Sequence, residues 1–146
     1  MTPAPDPQPS EIARQLQPVF AQRNEISAAY LFGSAAKGRL RPGSDVDIAL
    51  LLAREPRALT RKALLDSLLP ALGRILRRDV HFLFLNNASY LARAQVFNNG
   101  ELLYVRDRKE LARFRMISTA LLADFMPYLR MTQQGLENRL RRGHGG

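Results

Sequence analysis

The chain lacks residues and segments that several classes of protein depend on. Its 146 residues include no cysteine. Disulfides, thiolate nucleophiles and cysteine-ligated zinc sites are therefore excluded, and the composition fits the reducing cytoplasm, where we expect the protein. The N-terminal segment has no basic stretch followed by an apolar run, so we expect no secretory signal. No uninterrupted apolar stretch approaches the roughly 20 residues of a membrane span, so we expect no membrane association.

Acidic residues are also scarce. Lysine and arginine together number 22 against 13 aspartates and glutamates, for a formal net charge of +9. This balance is typical of proteins with an acidic partner such as nucleic acid, nucleotide phosphates or an acidic protein, although basic helices can also be simply solvated. Because no interleaved aromatics and no helix-turn-helix pattern accompany the charge, we do not expect direct nucleic-acid binding.

The order of apolar and turn-forming segments indicates the fold class. Alternating prolines predict an extended, disordered arm over residues 1–9. Hydrophobic periodicity over residues 10–130 predicts helix, strand, turn, strand, helix, strand, helix, strand and helix. Pro18 indicates a kink or an early end of the first helix, and Pro70 a bend or a split of the second. A basic, glycine-rich composition predicts a flexible tail over residues 131–146. The pattern favours an α/β (α+β) domain with one mixed sheet, flanking helices and a long C-terminal helix.

Two aspartates stand at the start of an otherwise apolar strand. Residues two apart on a strand share a face, so Asp45 and Asp47 point the same way. Paired carboxylates repel each other unless a proton or a cation lies between them, and a hard divalent cation is the usual partner. A third carboxylate would complete a two-metal phosphoryl-transfer site, and Asp79 is the best candidate because it begins the third strand. His81 shares the face of Asp79, and the sequence leaves open whether it contacts the site or packs elsewhere.

A Gly-Ser pair follows the first predicted strand and precedes this acidic pair. Such a junction offers backbone N–H groups, a hydroxyl and a helix N-terminus to phosphate oxygens, and Gly33 allows close approach. Lys37 adds a positive charge a short turn later. The predicted nucleotide-binding residues are therefore Gly33, Ser34, Lys37 and Ser44.

These residues carry a resemblance to a known family. The segment GSAAKGRLRPGSDVDIALLL, residues 33–52, resembles the signature of the DNA polymerase β-like nucleotidyltransferase superfamily, in which Gly-Ser precedes Asp-X-Asp. RRDVHFLFLNNAS, residues 77–89, looks like the later strand that supplies the third carboxylate. The short chain is most similar to the minimal nucleotidyltransferase (MNT) group.

The resemblance implies both a fold and a reaction. It implies the polymerase β-like fold and transfer of AMP from ATP to an acceptor, with loss of pyrophosphate. Asp45 and Asp47 would bind Mg²⁺, and Asp79 would be a general base or a third metal-positioning carboxylate. Gly33 and Ser34 would hold the β- and γ-phosphates. Many members carry arginine in place of Lys37, and lysine keeps the charge but loses bidentate phosphate geometry.

The resemblance also suggests a partner. Minimal members are similar to the antitoxins that pair with HEPN-domain ribonuclease toxins, some of which they silence by attaching AMP to a tyrosine. We therefore expect an AMPylating antitoxin in a hetero-oligomer with a cognate HEPN toxin. Two alternatives stay open at this point, a non-catalytic antitoxin that acts by occlusion and a small-molecule transferase of the aminoglycoside-modifying type.

Overall fold

A computed structural model describes residues 9–33, 36, 45–53 and 57–143. Within these residues, strands and helices follow the predicted order, with a short 3-10 helix over Leu85–Asn87. The elements are α1 Pro9–Ala21, β1 Ile26–Phe32, β2 Val46–Leu52, α2 Ala58–Leu76, β3 Val80–Phe84, α3 Tyr90–Asn99, β4 Glu101–Val105 and α4 Arg108–Gly143. The predicted arm, apart from Pro9, lies outside the described residues, and Pro9 is the first residue of α1.

The four strands form one mixed sheet in the order β3-β2-β1-β4. β1 is antiparallel to both β2 and β4, whereas β2 and β3 are parallel. A parallel pair needs a crossover connection, and α2 provides it. The central strands β1 and β2 are buried almost throughout, which explains their nearly continuous apolar sequences. The prediction of one mixed sheet flanked by helices is confirmed.

Each face of the sheet has its own apolar core. Strand alternation sends one set of side chains towards α1 and α2 and the other set towards α3 and α4. The first core includes Ile12, Leu16, Phe20, Leu31, Val46, Ile48, Leu50, Leu64, Leu68 and Leu72. The second includes Ala28, Tyr30, Ala49, Leu51, Leu85, Val96 and Leu111. Asp47 alternates with Val46 and Ile48, so it belongs to the face that α3 and α4 cover.

Two features of the helices differ from prediction. Pro70 does not split α2, which is continuous from Ala58 to Leu76, with Leu68 and Leu72 on either side of the proline buried in the core. The C-terminal helix does not end at Arg130 but continues to Gly143. Glutamine, glutamate, leucine and arginine favour helix strongly, and they outweigh Gly135, the one glycine inside the stretch before the terminal Gly143. Neither α4 nor any other helix in the described part of the chain has the length and hydropathy of a membrane span.

Candidate active site

The parallel register of β2 and β3 decides which polar side chains meet. Asp47 is aligned with His81, and Val46 is aligned with Val80. One position earlier, the backbone N–H of Val46 donates to the carbonyl oxygen of Asp79 at 2.9 Å. Asp79 therefore lies next to Asp45 along the strands, and the residue opposite Asp47 is His81.

The His81 imidazole lies between the two predicted carboxylates. Its Nε2 is 3.2 Å from Oδ2 of Asp45, and its Nδ1 is 3.9 Å from Oδ1 of Asp47. The His81 side chain is 64% exposed, against 42% for Asp45 and 34% for Asp47. Of the two possibilities that the sequence left open for His81, the structure therefore shows contact with the carboxylate pair.

The carboxylate of Asp47 is in an environment that disfavours its charge. Burial raises the pKa of Asp47 above its ordinary value, the nearby Asp45 raises it further, and His81 opposes both. Bringing a second negative charge onto one half-buried face is unfavourable unless a cation compensates it. The pair is thus prepared to accept a positive group, either the imidazole or a divalent cation.

Gly33 brings the main chain against Asp47. It directly follows β1 and has a φ of +73°, in the left-handed region that residues with a side chain rarely adopt. A Cβ atom placed there would be 2.7 Å from Oδ2 of Asp47. Only glycine allows the turn and the carboxylate to approach this closely. The other predicted phosphate-binding residues, Ser34, Lys37 and Ser44, lie outside the described residues, and their roles stay predictions.

Asp79 is positioned differently from the pair. It is exposed and precedes β3 directly. Across residues 9–33, 36, 45–53 and 57–143, no three or more histidine, aspartate or glutamate side chains are grouped to hold a metal ion. The described donor set is two carboxylates, whose hard oxygens fit a divalent cation such as Mg²⁺. The role of Asp79 as a third metal-positioning carboxylate stays a prediction.

The helix α3 covers this face and is fixed by an arginine that the sequence analysis did not single out. The hydroxyl of Ser89 accepts from the N–H of Ala92 and caps the helix. The Arg93 guanidinium donates to the carbonyl oxygens of Leu85 and Asn86, each at 2.8 Å. Partial burial lowers the pKa of Arg93, and nothing in its local sequence marks it as withdrawn from solvent. This arginine ties α3 to the residues that follow β3, at the opposite end of that strand from His81 and the carboxylates.

Comparison with known proteins places this arrangement in a family. The sequence model for the polymerase beta nucleotidyltransferase domain matches residues 14–109, about two thirds of the chain. The chain belongs to the polymerase beta nucleotidyltransferase family. The match extends from α1 through β4 into the start of α4, so it contains both carboxylates, Gly33 and His81.

Solved structures share the nucleotidyltransferase fold over most of the chain. One is a toxin–antitoxin complex with AMP-PNP, with a TM-score of 0.65, 23% identity, and coverage of 88% of this chain and 98% of that one. Another is the MNT antitoxin in complex with the tri-AMPylated HEPN toxin of Shewanella oneidensis, with a TM-score of 0.61 and 21% identity, covering 89% of this chain and 96% of that one.

A curated enzyme matches over a shorter stretch. Spectinomycin 9-adenylyltransferase of Staphylococcus aureus is 41% identical over 56 residues. The matched stretch is 38% of this chain but only 22% of that enzyme. This likeness is therefore confined to a part of the nucleotidyltransferase fold and does not extend to most of the relative.

Proposed function

We propose that this protein transfers AMP from ATP to a protein acceptor, and that the acceptor is a cognate HEPN ribonuclease toxin. The observation that carries the proposal is the pair Asp45 and Asp47, which share one sheet face beside the glycine turn of a nucleotidyltransferase domain. In the reaction, an acceptor hydroxyl oxygen forms a bond to the α-phosphorus. The bond from that phosphorus to the bridging oxygen breaks and pyrophosphate leaves, and the hydroxyl proton passes to a general base, the role proposed for Asp79.

The carboxylate pair would hold the cation of this reaction. Asp45 and Asp47 would bind Mg²⁺, which, when bound, neutralises charge that develops on the transferred phosphoryl group. Gly33 would admit phosphate oxygens close to the main chain, with Ser34, Lys37 and Ser44 in the supporting roles proposed from the sequence. Asp79 is proposed as the third carboxylate of the site, beside the acceptor hydroxyl.

The structural neighbours support the choice of acceptor. Similar folds occur in a complex of MNT antitoxin with an AMPylated HEPN toxin and in a toxin–antitoxin complex with an ATP analogue. An antitoxin that modifies its toxin meets its acceptor as a bound partner, which supports a hetero-oligomer. A cytoplasmic location is part of the proposal, because ATP is the donor and the chain has no cysteine.

A labelling experiment tests the reaction. Purified protein, Mg²⁺ and the co-encoded HEPN protein are incubated with ATP labelled at either the α- or the γ-phosphate. Only the α-label should become attached to the partner. Asp47→Asn should lower the rate by about 10²-fold or more, since lost charge stabilisation in a phosphoryl-transfer site is worth several kcal/mol. Asp124→Asn, an exposed change on α4, is the matched control and should keep full activity.

Binding and neutralisation assays distinguish an antitoxin that modifies its toxin from one that acts by occlusion alone. If the Asp45→Ala, Asp47→Ala double variant binds the toxin and neutralises it as well as the parent does, AMPylation is not the mechanism. Loss of neutralisation with binding retained supports the proposal. Asp79→Ala and His81→Ala, assayed in parallel, show which of the two neighbours of the pair the transfer requires.

A small-molecule acceptor is the second candidate. The observation that favours it is the local identity with spectinomycin 9-adenylyltransferase. Incubation with α-labelled ATP and spectinomycin tests it directly. If labelled antibiotic forms without any partner protein, and does not form with Asp47→Asn, the acceptor is an aminocyclitol and not a protein.

A further inference from the structure

A cavity opens beside the carboxylate pair, between the sheet and α3. Its volume is about 310 Å³, at the lower end of the roughly 300–1,000 Å³ typical of small-molecule sites. Phe32, which is paired with Asp47 across β1 and β2, forms one wall together with Gly33. Leu83, two residues beyond His81 on β3, forms another wall. The cavity therefore adjoins the proposed phosphate and cation site.

The helix α3 contributes the remaining wall and the polar groups. Ala92 and Val96 present a small apolar surface, and the amides of Gln95 and Asn99 lie at the rim. Gln95 and Asn99 are four residues apart, so they stand on the same side of the helix. Both are exposed, and neither side chain forms a hydrogen bond with another described residue. The described residues that line the cavity carry no charge.

We propose that this cavity holds the nucleobase of the donor nucleotide, and that Gln95 and Asn99 select adenine. The inference rests on the proposed nucleotidyl transfer and adds the determinants of base choice to it. The phosphates would lie at Gly33 and the carboxylates, and the base would enter between Phe32 and α3.

The lining chemistry favours an uncharged occupant over a highly charged one. Phosphate groups need cationic partners and an aminocyclitol needs anionic ones, but neither kind of side chain lines the described part of the cavity. A heteroaromatic ring instead fits a slot lined by aromatic and aliphatic side chains, where stacking contributes to binding whichever base is bound. The slot is thus suited to a neutral, flat group with polar edges.

The two amides determine which base fits best. A carboxamide offers one donor and one acceptor, which complements the amino group and ring nitrogen of adenine. Guanine presents two acceptors on the corresponding edge and is typically read by arginine or lysine. With glutamine and asparagine at the rim, we expect ATP to bind in preference to GTP.

Binding measurements with nucleotides that cannot react test this inference. The full chain is titrated calorimetrically with α,β-methylene-ATP and α,β-methylene-GTP in the presence of Mg²⁺. Gln95→Leu and Asn99→Leu keep the size of the side chain and remove the amide. Each should weaken binding of the ATP analogue about tenfold while leaving the GTP analogue nearly unchanged. Asn98→Leu, on the same helix but outside the cavity, is the matched control and should change neither affinity.

A second variant tests the position of the base independently of the amides. Ala92→Phe fills the slot and should weaken binding of both analogues about tenfold or more. Inorganic tripolyphosphate, which has no base, should bind the variant as tightly as it binds the parent. If Ala92→Phe does not fold, the two exposed amide variants still decide the question.

The outcomes separate this inference from the proposed reaction. If the amide variants keep the parental ratio of ATP to GTP affinity while the parent still transfers the α-label, the base site is wrong and the reaction stands. If the amides govern the ratio but no acceptor is labelled, the base site stands and the reaction is wrong. A parent that binds both analogues equally overturns the assignment of adenine selectivity.

Discussion

Replacing Gly33 by alanine tests the closest approach in the candidate site. The change adds one methyl group at a position where φ is +73° and where the new Cβ would be 2.7 Å from Oδ2 of Asp47. Two separate effects follow. The unfavourable backbone conformation lowers the stability of the fold, and the added methyl group displaces the Asp47 carboxylate. They can be measured separately.

The stability effect comes from the backbone. An L-residue in the left-handed region costs about 1–2 kcal/mol relative to glycine. For a chain of this size, each kcal/mol lowers the melting temperature by roughly 2–4 °C, so Gly33→Ala should melt about 2–8 °C below the parent. Asp47 is a side chain and can move aside, so the close contact adds little to this loss.

The functional effect comes from that movement. The contact is about 0.7 Å shorter than ordinary van der Waals distance, which begins at 3.4 Å, so the Asp47 carboxylate has to retreat by about that distance. A misplacement of about 1 Å in an active site can reduce a rate by about 10²-fold. We therefore expect Gly33→Ala to lower AMP transfer by roughly 10- to 100-fold at temperatures where the variant is fully folded.

Thermal denaturation followed by circular dichroism, together with the labelling assay, provides both readouts. Gly73→Ala is the matched control, because Gly73 lies in α2 with nothing within 4 Å of the added Cβ and should gain up to about 1 kcal/mol. If Gly33→Ala is as stable and as active as Gly73→Ala, the close approach of the turn to Asp47 has no role. If Gly33→Ala loses stability but transfers AMP at the parental rate, the role of Gly33 is confined to forming the backbone turn.

Three further predictions follow from contacts in the structure. The pKa of Asp47 is raised in the folded protein, so its charge destabilises the fold once the pH rises above its ordinary value of 3.8. Asp47→Asn should therefore melt above the parent at pH 7 in EDTA, with the difference vanishing at more acidic pH, whereas equal melting temperatures at pH 7 would contradict this. Arg93→Lys loses the forked donation to two carbonyls and should unfold with about 2 kcal/mol less free energy in urea, while the exposed Arg113→Lys should not. Gly100→Ala would place a Cβ 2.5 Å from the carbonyl oxygen of Val96, and because that oxygen is backbone, we expect a loss of about 1–3 kcal/mol by urea denaturation.

Local pattern was sufficient to predict the elements of the fold. Alternation along β3 placed His81 and Leu83 on the face opposite Val80 and Phe82, and the two cores confirm this division. The spacing of Asp45 and Asp47 was enough to predict that they share a face. These predictions succeeded because strand and helix periods depend on neighbouring residues alone.

Local composition misled the prediction at two places, for different reasons. Pro70 was expected to bend or split α2, and the split is wrong, because α2 is one continuous helix whose leucines on both sides of the proline are buried in the core. The basic composition after Arg130 predicted a flexible tail, but helix-favouring side chains extend α4 to Gly143.

The sequence by itself determined the order of the elements, the shared face of the two aspartates and the likeness to a nucleotidyltransferase. Only the tertiary structure decided that His81 is the side chain opposite Asp47, that Gly33 touches its carboxylate, and that α3 leaves a cavity beside them. The physical reason is that a residue's own strand sets the direction of its side chain. Its neighbours depend on the register between strands that are distant in sequence, and that register is settled by the packing of the whole domain.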